Sequence, residues 1–139
     1  MIVRISLLII LLSCPVYADV LNGRAVTVVD GDTLTVLDSR NVRHKIRLQG
    51  IDAPENGQPY GRAAGKHLSR LIAGRNVDVE YNKRDRYGRI VGTVQLSGQD
   101  INLNQVEAGM AWHYKKYQKE QSQENRKSYS AAEIEARTK

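Results

Sequence analysis

Cysteine is nearly absent from the 139-residue chain: Cys14 stands alone, so no disulfide can form within it and no cysteine cluster can hold zinc. Histidine offers no substitute. His44, His67 and His113 fall on a strand, a helix and a basic aromatic run, with no spacing that assembles a zinc site. There is no long hydrophobic segment either, because the apolar run from Ile5 to Leu12 is too short to span a bilayer. Internal repeats and low-complexity linkers are also missing, which leaves room for one domain held together by its core.

The short apolar run fits a secretory signal peptide, with Arg4 as the positive n-region and Val16-Tyr17-Ala18 as a small-residue cleavage site. Cleavage after Ala18 is the expected processing. It would leave a single domain of residues 19–139 in a secreted or periplasmic protein. A competing reading takes Leu11-Leu12-Ser13-Cys14 as a lipobox with Cys14 acylated, although Leu12 is not the best residue for it. On either reading the cysteine is spent in the signal, and the mature domain carries no thiol to misoxidise outside the cytoplasm. Removing residues 1–18 takes away Arg4 and no acid, so the formal charge falls from +6 to +5. A basic domain suits a polyanionic partner, and it equally suits plain solubility.

Alternation of apolar and polar residues predicts strands over 23–29, 33–37 and 42–48, with Asp38-Ser39-Arg40-Asn41 as turn chemistry between the second and third. From Pro59 to Ala73 the residues Tyr60, Ala64, His67, Leu68 and Leu71 recur at helical spacing, and Gly74 supplies a stop. Val77, Val79 and Tyr81 mark a fourth strand, and Ile90, Val94 and Leu96 a fifth. Helices are expected over 102–109 and about 118–137, the last with Tyr129, Ala132 and Ala136 facing inward. Three strands, a helix, two strands and further helices fit a mainly β fold with α (α+β): an OB-like five-stranded β-barrel with flanking helices.

Three polar motifs punctuate these elements. Asp30-Gly31-Asp32-Thr33 joins the first two strands and, taken alone, is a good hairpin turn. A turn needs one such aspartate, however, whereas a hard cation needs several oxygens. Asp52-Ala53-Pro54-Glu55 follows the third strand and matches a capping box. The Gly and Pro residues from Gly57 to Gly61 argue against a helix starting there, and an extended residue before Pro54 fits a strand running into a loop. Asp85-Arg86-Tyr87-Gly88-Arg89 adds cations, while Lys45-Ile46-Arg47-Leu48 sends Ile46 and Leu48 to one face and Arg47 to the other. Carboxylates for a cation, with arginines for a phosphate, point to phosphodiester chemistry. A solvated strand arginine remains the plain alternative for Arg47 and Arg89, as for Arg43 and Lys45 beside Arg47.

In order and spacing, Asp30-Gly-Asp32-Thr33, Arg47-Leu-Gln-Gly-Ile-Asp52-Ala-Pro-Glu55 and Asp85-Arg-Tyr-Gly-Arg89 resemble the staphylococcal nuclease family of calcium-dependent nucleases. The likeness runs from about Val20 to about Tyr117, and the family's barrel matches the fold read above. The resemblance implies that Asp32 and Asp52 are carboxylate ligands of a metal, with Asp30 nearby, and that Ala53 contributes its backbone carbonyl. Many relatives have threonine at that position, but a main-chain ligand survives the change. All-oxygen ligation suits calcium or magnesium and not zinc, and calcium, with its flexible coordination, is the expected cofactor.

Glu55 is then the carboxylate without a ligand role, the candidate to accept a proton from the attacking water or to position it; the alternative is an exposed loop glutamate. Arg47 and Arg89 would each donate up to two hydrogen bonds to phosphoryl oxygens. Arg86 and Tyr87 occupy positions where the family contacts the terminal phosphate, and Lys83 and Arg84 extend that basic run. Tyr114 lies with Trp112 and Tyr117 among His113, Lys115 and Lys116, a pattern for base stacking beside phosphate contacts, although core packing suits Trp112 at least as well. DNA and RNA are the implied substrates, cut at the bond to the 5′ oxygen to leave 3′-phosphate ends, and a monomer is expected. The rival function is a non-catalytic OB-fold module that binds single-stranded nucleic acid. A degenerate copy should lack some of Arg47, Glu55 and Arg89, and all three are present. Family members typically run on to a Gly-Leu-Trp-like ending that anchors the last helix; none occurs up to Lys139, so loose docking of that helix is expected.

Overall fold

The computed structural model describes residues 18–138. The lipobox reading and all of the signal-peptide reading but Ala18 fall on residues 1–17, outside the described residues. The strands are β1 (Asp19–Asp30), β2 (Thr33–Leu37), β3 (Arg43–Leu48), the short β4 (Ile51–Asp52), β5 (Asn76–Arg84), β6 (Ile90–Leu96), and the short β7 (Gln99–Asp100) and β8 (Trp112–His113). The helices are α1 (Gly61–Ile72), α2 (Ile101–Glu107) and α3 (Gln123–Arg137), with a 3₁₀ segment at Lys115–Glu120. The main sheet runs β3-β2-β1-β5-β6-β7, and β3 also pairs in parallel with β6, at Ile46 with Ile90 and Leu48 with Gly92. That last pairing closes five strands into a barrel, as the order of elements predicts. Closure removes the exposed edges that β3 and β6 would otherwise present.

Alternation fills the barrel. Leu34 and Val36 of β2, Ile46 and Leu48 of β3, Val77 and Val79 of β5, and Ile90 and Val94 of β6 are all buried. Helix α1 closes one end because Ala64, Leu68 and Ile72, four residues apart, form a single buried row. Each large aliphatic side chain taken from water contributes about 1.5–3 kcal/mol, which is how a core without disulfides holds. Strand β1 begins at Asp19, earlier than the alternation showed, because Asp19 to Arg24 pair with Tyr81 to Asn76 of β5. Partner strand geometry, and not local pattern, sets that boundary.

The C-terminal helix ends at Arg137 as expected but differs in where it starts and in how it docks. Helix α3 starts at Gln123, after the 3₁₀ segment, where the Ser122 hydroxyl caps it by accepting from the Asn125 amide at 3.0 Å. The helix is firmly docked. Tyr129 is fully buried and its hydroxyl donates to Asp100 Oδ2 at 2.7 Å, while Ala132 and Glu133 are buried beside it. Glu133 Oε2 accepts from the His113 backbone amide at 2.6 Å, and Glu133 Oε1 faces Arg137 at 3.1 Å and Lys115 at 3.4 Å. A buried tyrosine and a buried glutamate therefore anchor this helix without a Gly-Leu-Trp-like ending. Among the described residues no helix is long and apolar enough to cross a membrane.

Candidate active site

The β1–β2 turn places Asp32 inside the molecule. Gly31 sits so tightly that a Cβ there would lie 2.6 Å from the Ala64 Cβ and 2.8 Å from the Ala53 Cβ, so only glycine lets the turn rest on α1. Asp32 Oδ1 accepts from the Thr33 hydroxyl at 3.0 Å and Oδ2 from the Ala53 amide at 2.8 Å. Those bonds tie the first motif to the second. Asp52 reaches the same region from β4, which is held by pairing with β8 at Ile51–His113 and Asp52–Trp112.

Arg47 joins the two carboxylates. Its Nη1 lies 3.3 Å from Asp32 Oδ2 and its Nη2 lies 3.4 Å from Asp52 Oδ1. Nη1 also donates to the carbonyls of Leu48 at 3.1 Å and Ile51 at 2.9 Å, so the guanidinium is oriented by the backbone as well as by charge. Asp32 is buried, whereas Asp52 is half exposed and open to an incoming group. Burial, then the hydrogen bond and charge of Asp32, push the Asp30 carboxyl up to about 6. Burial also raises Asp52, against the opposing pull of Arg47. Glu55 is exposed, and its carboxylate has no hydrogen bond or ion pair among the described residues.

Its backbone is nevertheless fixed. The Glu55 amide donates to Gln58 Oε1 at 2.9 Å and its carbonyl accepts from the Gln58 amide at 2.8 Å. A Cβ on Gly61 would collide with that carbonyl, so α1 packs directly on it. Asn56 Nδ2 donates to the Val29 carbonyl at 2.8 Å, which fastens the same loop to β1.

On the other side of Arg47 opens a cleft of about 650 Å³, lined among others by Arg86, Tyr87, Arg89, Tyr114 and Tyr117. Arg89 is held by the Asp85 turn. Its Nε donates to Asp85 Oδ2 at 2.7 Å and its amide to Oδ1 at 3.0 Å, and Oδ1 also accepts from the Tyr87 amide at 2.9 Å. Burial pushes Asp85 up, but those hydrogen bonds outweigh it and hold the carboxyl below the usual range. The guanidiniums of Arg86 and Arg89 lie 4.9 Å and 5.5 Å from the Tyr87 ring centre, so two cations flank one exposed aromatic. Tyr114 is fixed by its amide bond to the Gly50 carbonyl at 2.8 Å and stands edge-on to Tyr117 at 5.1 Å.

The structure thus brings Arg47, Arg86, Tyr87, Arg89 and Tyr114 to one cleft and sets Asp32 and Asp52 against Arg47; Ala53 is tied to Asp32 by its amide, and Glu55 follows on the next loop, where its charge acts on Asp52. Trp112 is half exposed opposite Asp52 and does not line the cleft. Lys83 of the basic run is paired with Glu120 at 2.6 Å. His44 pairs with Asp38, His67 with Gln105 and His113 with Gln121.

Among the described residues, no group of three or more His, Cys, Asp or Glu side chains is placed to hold a metal. What the site does offer is the carboxylates of Asp32 and Asp52 on either side of Arg47, oxygen donors of the kind a hard cation takes while completing its shell with water and substrate oxygens.

Three supporting residues escaped the sequence reading. Gln105 is fully buried and its Nε2 donates to the Gly31 carbonyl at 2.8 Å and the Ala64 carbonyl at 3.2 Å, while its Oε1 faces His67 Nδ1. Asn102, equally buried, donates to the carbonyls of Gln49 and Gly92 at 3.0 Å and accepts from the Val94 amide at 3.1 Å. Gln58 is the third. The signal for the first two was an amide at a core-facing position of α2 between Ile101 and Val106, since an amide on an apolar face must find partners inside.

Residues 45–139 match the family described as staphylococcal nuclease homologue. An uncharacterized endonuclease of Escherichia coli is 46% identical over 114 residues, which cover 81% of this chain and 74% of the relative. An uncharacterized endonuclease of Haemophilus influenzae is 44% identical over 106 residues, covering 73% and 60%. The micrococcal nuclease of Shigella flexneri is 38% identical over 120 residues, covering 80% and 68%. A family match across more than half the chain, relatives this similar, and the closed barrel carrying all three motifs agree: the chain belongs to the staphylococcal nuclease family.

Proposed function

We propose that this protein is a calcium-dependent nuclease, secreted or periplasmic, that hydrolyses phosphodiester bonds of DNA and RNA and leaves 3′-phosphate ends. The observation that carries the reading is Arg47, which bridges Asp32 and Asp52 at the rim of a cleft holding Arg89, Arg86 and Tyr87. The names of the relatives support nuclease activity, and the sequence of residues 1–18 supports export.

Each residue has a defined task. Glu55, exposed on a backbone fixed by Gln58, takes the proton of the attacking water or orients it as the new bond forms at phosphorus. The bond to the 5′ oxygen breaks, and that oxygen leaves to be protonated from solvent. Negative charge gathers meanwhile on the phosphoryl oxygens, where the Arg47 and Arg89 guanidiniums meet it with paired hydrogen bonds. Asp32, Asp52 and the Ala53 carbonyl are the groups that would hold calcium, whose chemistry when bound is positive charge beside the phosphoryl oxygens and a more acidic water. Arg86, Tyr87 and Tyr114 hold the neighbouring phosphate and base in the cleft.

The test is metal dependence with a binding readout. Purified protein should bind calcium, and Asp52→Asn should weaken that binding at least tenfold, because a neutral amide is a poorer ligand. Equal calcium affinity in the variant would remove Asp52 from the ligand set.

A further inference from the structure

From Asn56 to Val77 the chain contains no aspartate or glutamate, yet it carries Arg62, Lys66, Arg70 and Arg75. All four are exposed, and their side chains have no hydrogen-bond or ion-pair partner among the described residues. Several cations elsewhere are compensated, as Lys83 is by Glu120, Arg89 by Asp85, and Lys115 and Arg137 by Glu133, whereas Arg43 and Lys45 of β3 also stand without an ion pair among the described residues. Arg62, Lys66 and Arg70 stand four residues apart and so form one stripe along α1.

Helix stability does not account for the stripe. Like charges at that spacing repel, and the first turn of α1 holds no acid, so Arg62 opposes the helix dipole. Arg70, in the last turn, suits the dipole and carries less of the argument. Position carries more. Gly61 packs on the Glu55 carbonyl, and an added Cβ on Gly65 would lie 3.6 Å from the Asp30 Cα, so the first turns of α1 border the carboxylates. At about 100° per residue, Arg62 lies about 60° round the helix from Gly65. The stripe therefore starts beside the site and runs away from it for about 12 Å, and none of its residues lines the cleft.

We propose that Arg62, Lys66 and Arg70, continued by Arg75, form a second contact surface for the substrate strand. It holds the phosphates of nucleotides beyond the scissile bond, after the strand has passed from the cleft across Arg47 and the carboxylates. The proposal rests on the nuclease reading for its ligand, a nucleic-acid single strand, and is tested separately from catalysis.

The experiment compares a single-stranded 20-mer with a dinucleotide, using Glu55→Ala protein for binding and the parent for turnover. Arg62→Gln, Lys66→Gln and Arg70→Gln combined should reduce the salt slope of 20-mer binding by about 0.7 per lost contact. From 50 to 200 mM salt, the intact stripe should therefore lose roughly twentyfold more affinity than the triple variant. Dinucleotide kcat and KM should stay unchanged in that variant, and Arg62→Lys with Arg70→Lys should retain the slope. Equal slopes with and without the stripe would overturn the proposal, and so would an equal loss on both ligands. Binding of phosphatidylserine vesicles through these three residues, with 20-mer binding intact, would overturn it as well. If the parent cut neither substrate but the slope still changed, the surface would stand and the nuclease reading would fall.

Discussion

Arg47 is the residue on which the two halves of the site depend. It is buried enough to be oriented by two carbonyls and open enough to line the cleft. Lysine cannot reproduce that fork, so Arg47→Lys should lower kcat by about 10³-fold or more and move KM little. Loss confined to KM, with unchanged thermal stability, would make Arg47 an ordinary phosphate contact. Asp85 acts at one remove by holding Arg89. Its pKa is lowered in the folded state, so its stabilisation is complete above the ordinary carboxylate range and fades as pH falls through the folded value. Asp85→Asn should therefore flatten the fall in Tm below about pH 4, which a Tm series across pH would show. The acidic motifs and both arginines were legible in the sequence because a second aspartate exceeds what a turn needs and because the three motifs together resemble one family. The role of Gln58 was not, since a side-chain bond to a backbone amide three residues away leaves no pattern.

At the scale of elements, β2 and β6 fall where the apolar residues placed them, at Thr33–Leu37 and Ile90–Leu96, although Thr33, Thr35 and Thr93 are buried along with the apolar positions. The start of α3 does not, because a 3₁₀ segment with similar polarity precedes it and only the Ser122 cap separates the two. Helix α2 shows why supporting residues were missed: a polar residue reads as solvent-facing unless its place among core positions is weighed. Gln105→Leu keeps the volume but orphans the Gly31 carbonyl and takes a second donor from the Ala64 carbonyl, which α1 also satisfies. It should cost about 1–3 kcal/mol in denaturant unfolding and weaken calcium binding through the Asp32 turn. Unchanged stability would mean that the Gly31 carbonyl finds another donor.

Over the whole molecule, the C-terminal helix is coupled to the site through a chain of contacts. Glu133 holds the His113 amide, β8 pairs with β4, and β4 presents Asp52 opposite Trp112. Glu133→Ala leaves that buried amide without its acceptor, at about 1–3 kcal/mol, and should shift the fluorescence of Trp112, the chain's one tryptophan. A spectrum identical to the parent's would show β8 to be independent of α3. Barrel topology was readable from the order of elements, whereas this coupling was not, because it joins residues through a buried charge.

The central claim is that one site, with Asp32 and Asp52 as metal carboxylates and Glu55 as the water-handling group, cuts nucleic acid. Its most direct test incubates the purified protein and Glu55→Ala with plasmid DNA and with RNA, in calcium, in magnesium and in chelator. The parent should cleave in calcium, little in magnesium and not at all in chelator, and Glu55→Ala should lose most hydrolysis while retaining binding. Cleavage in chelator, or a Glu55→Ala protein that cuts at close to the parent rate, would contradict that claim.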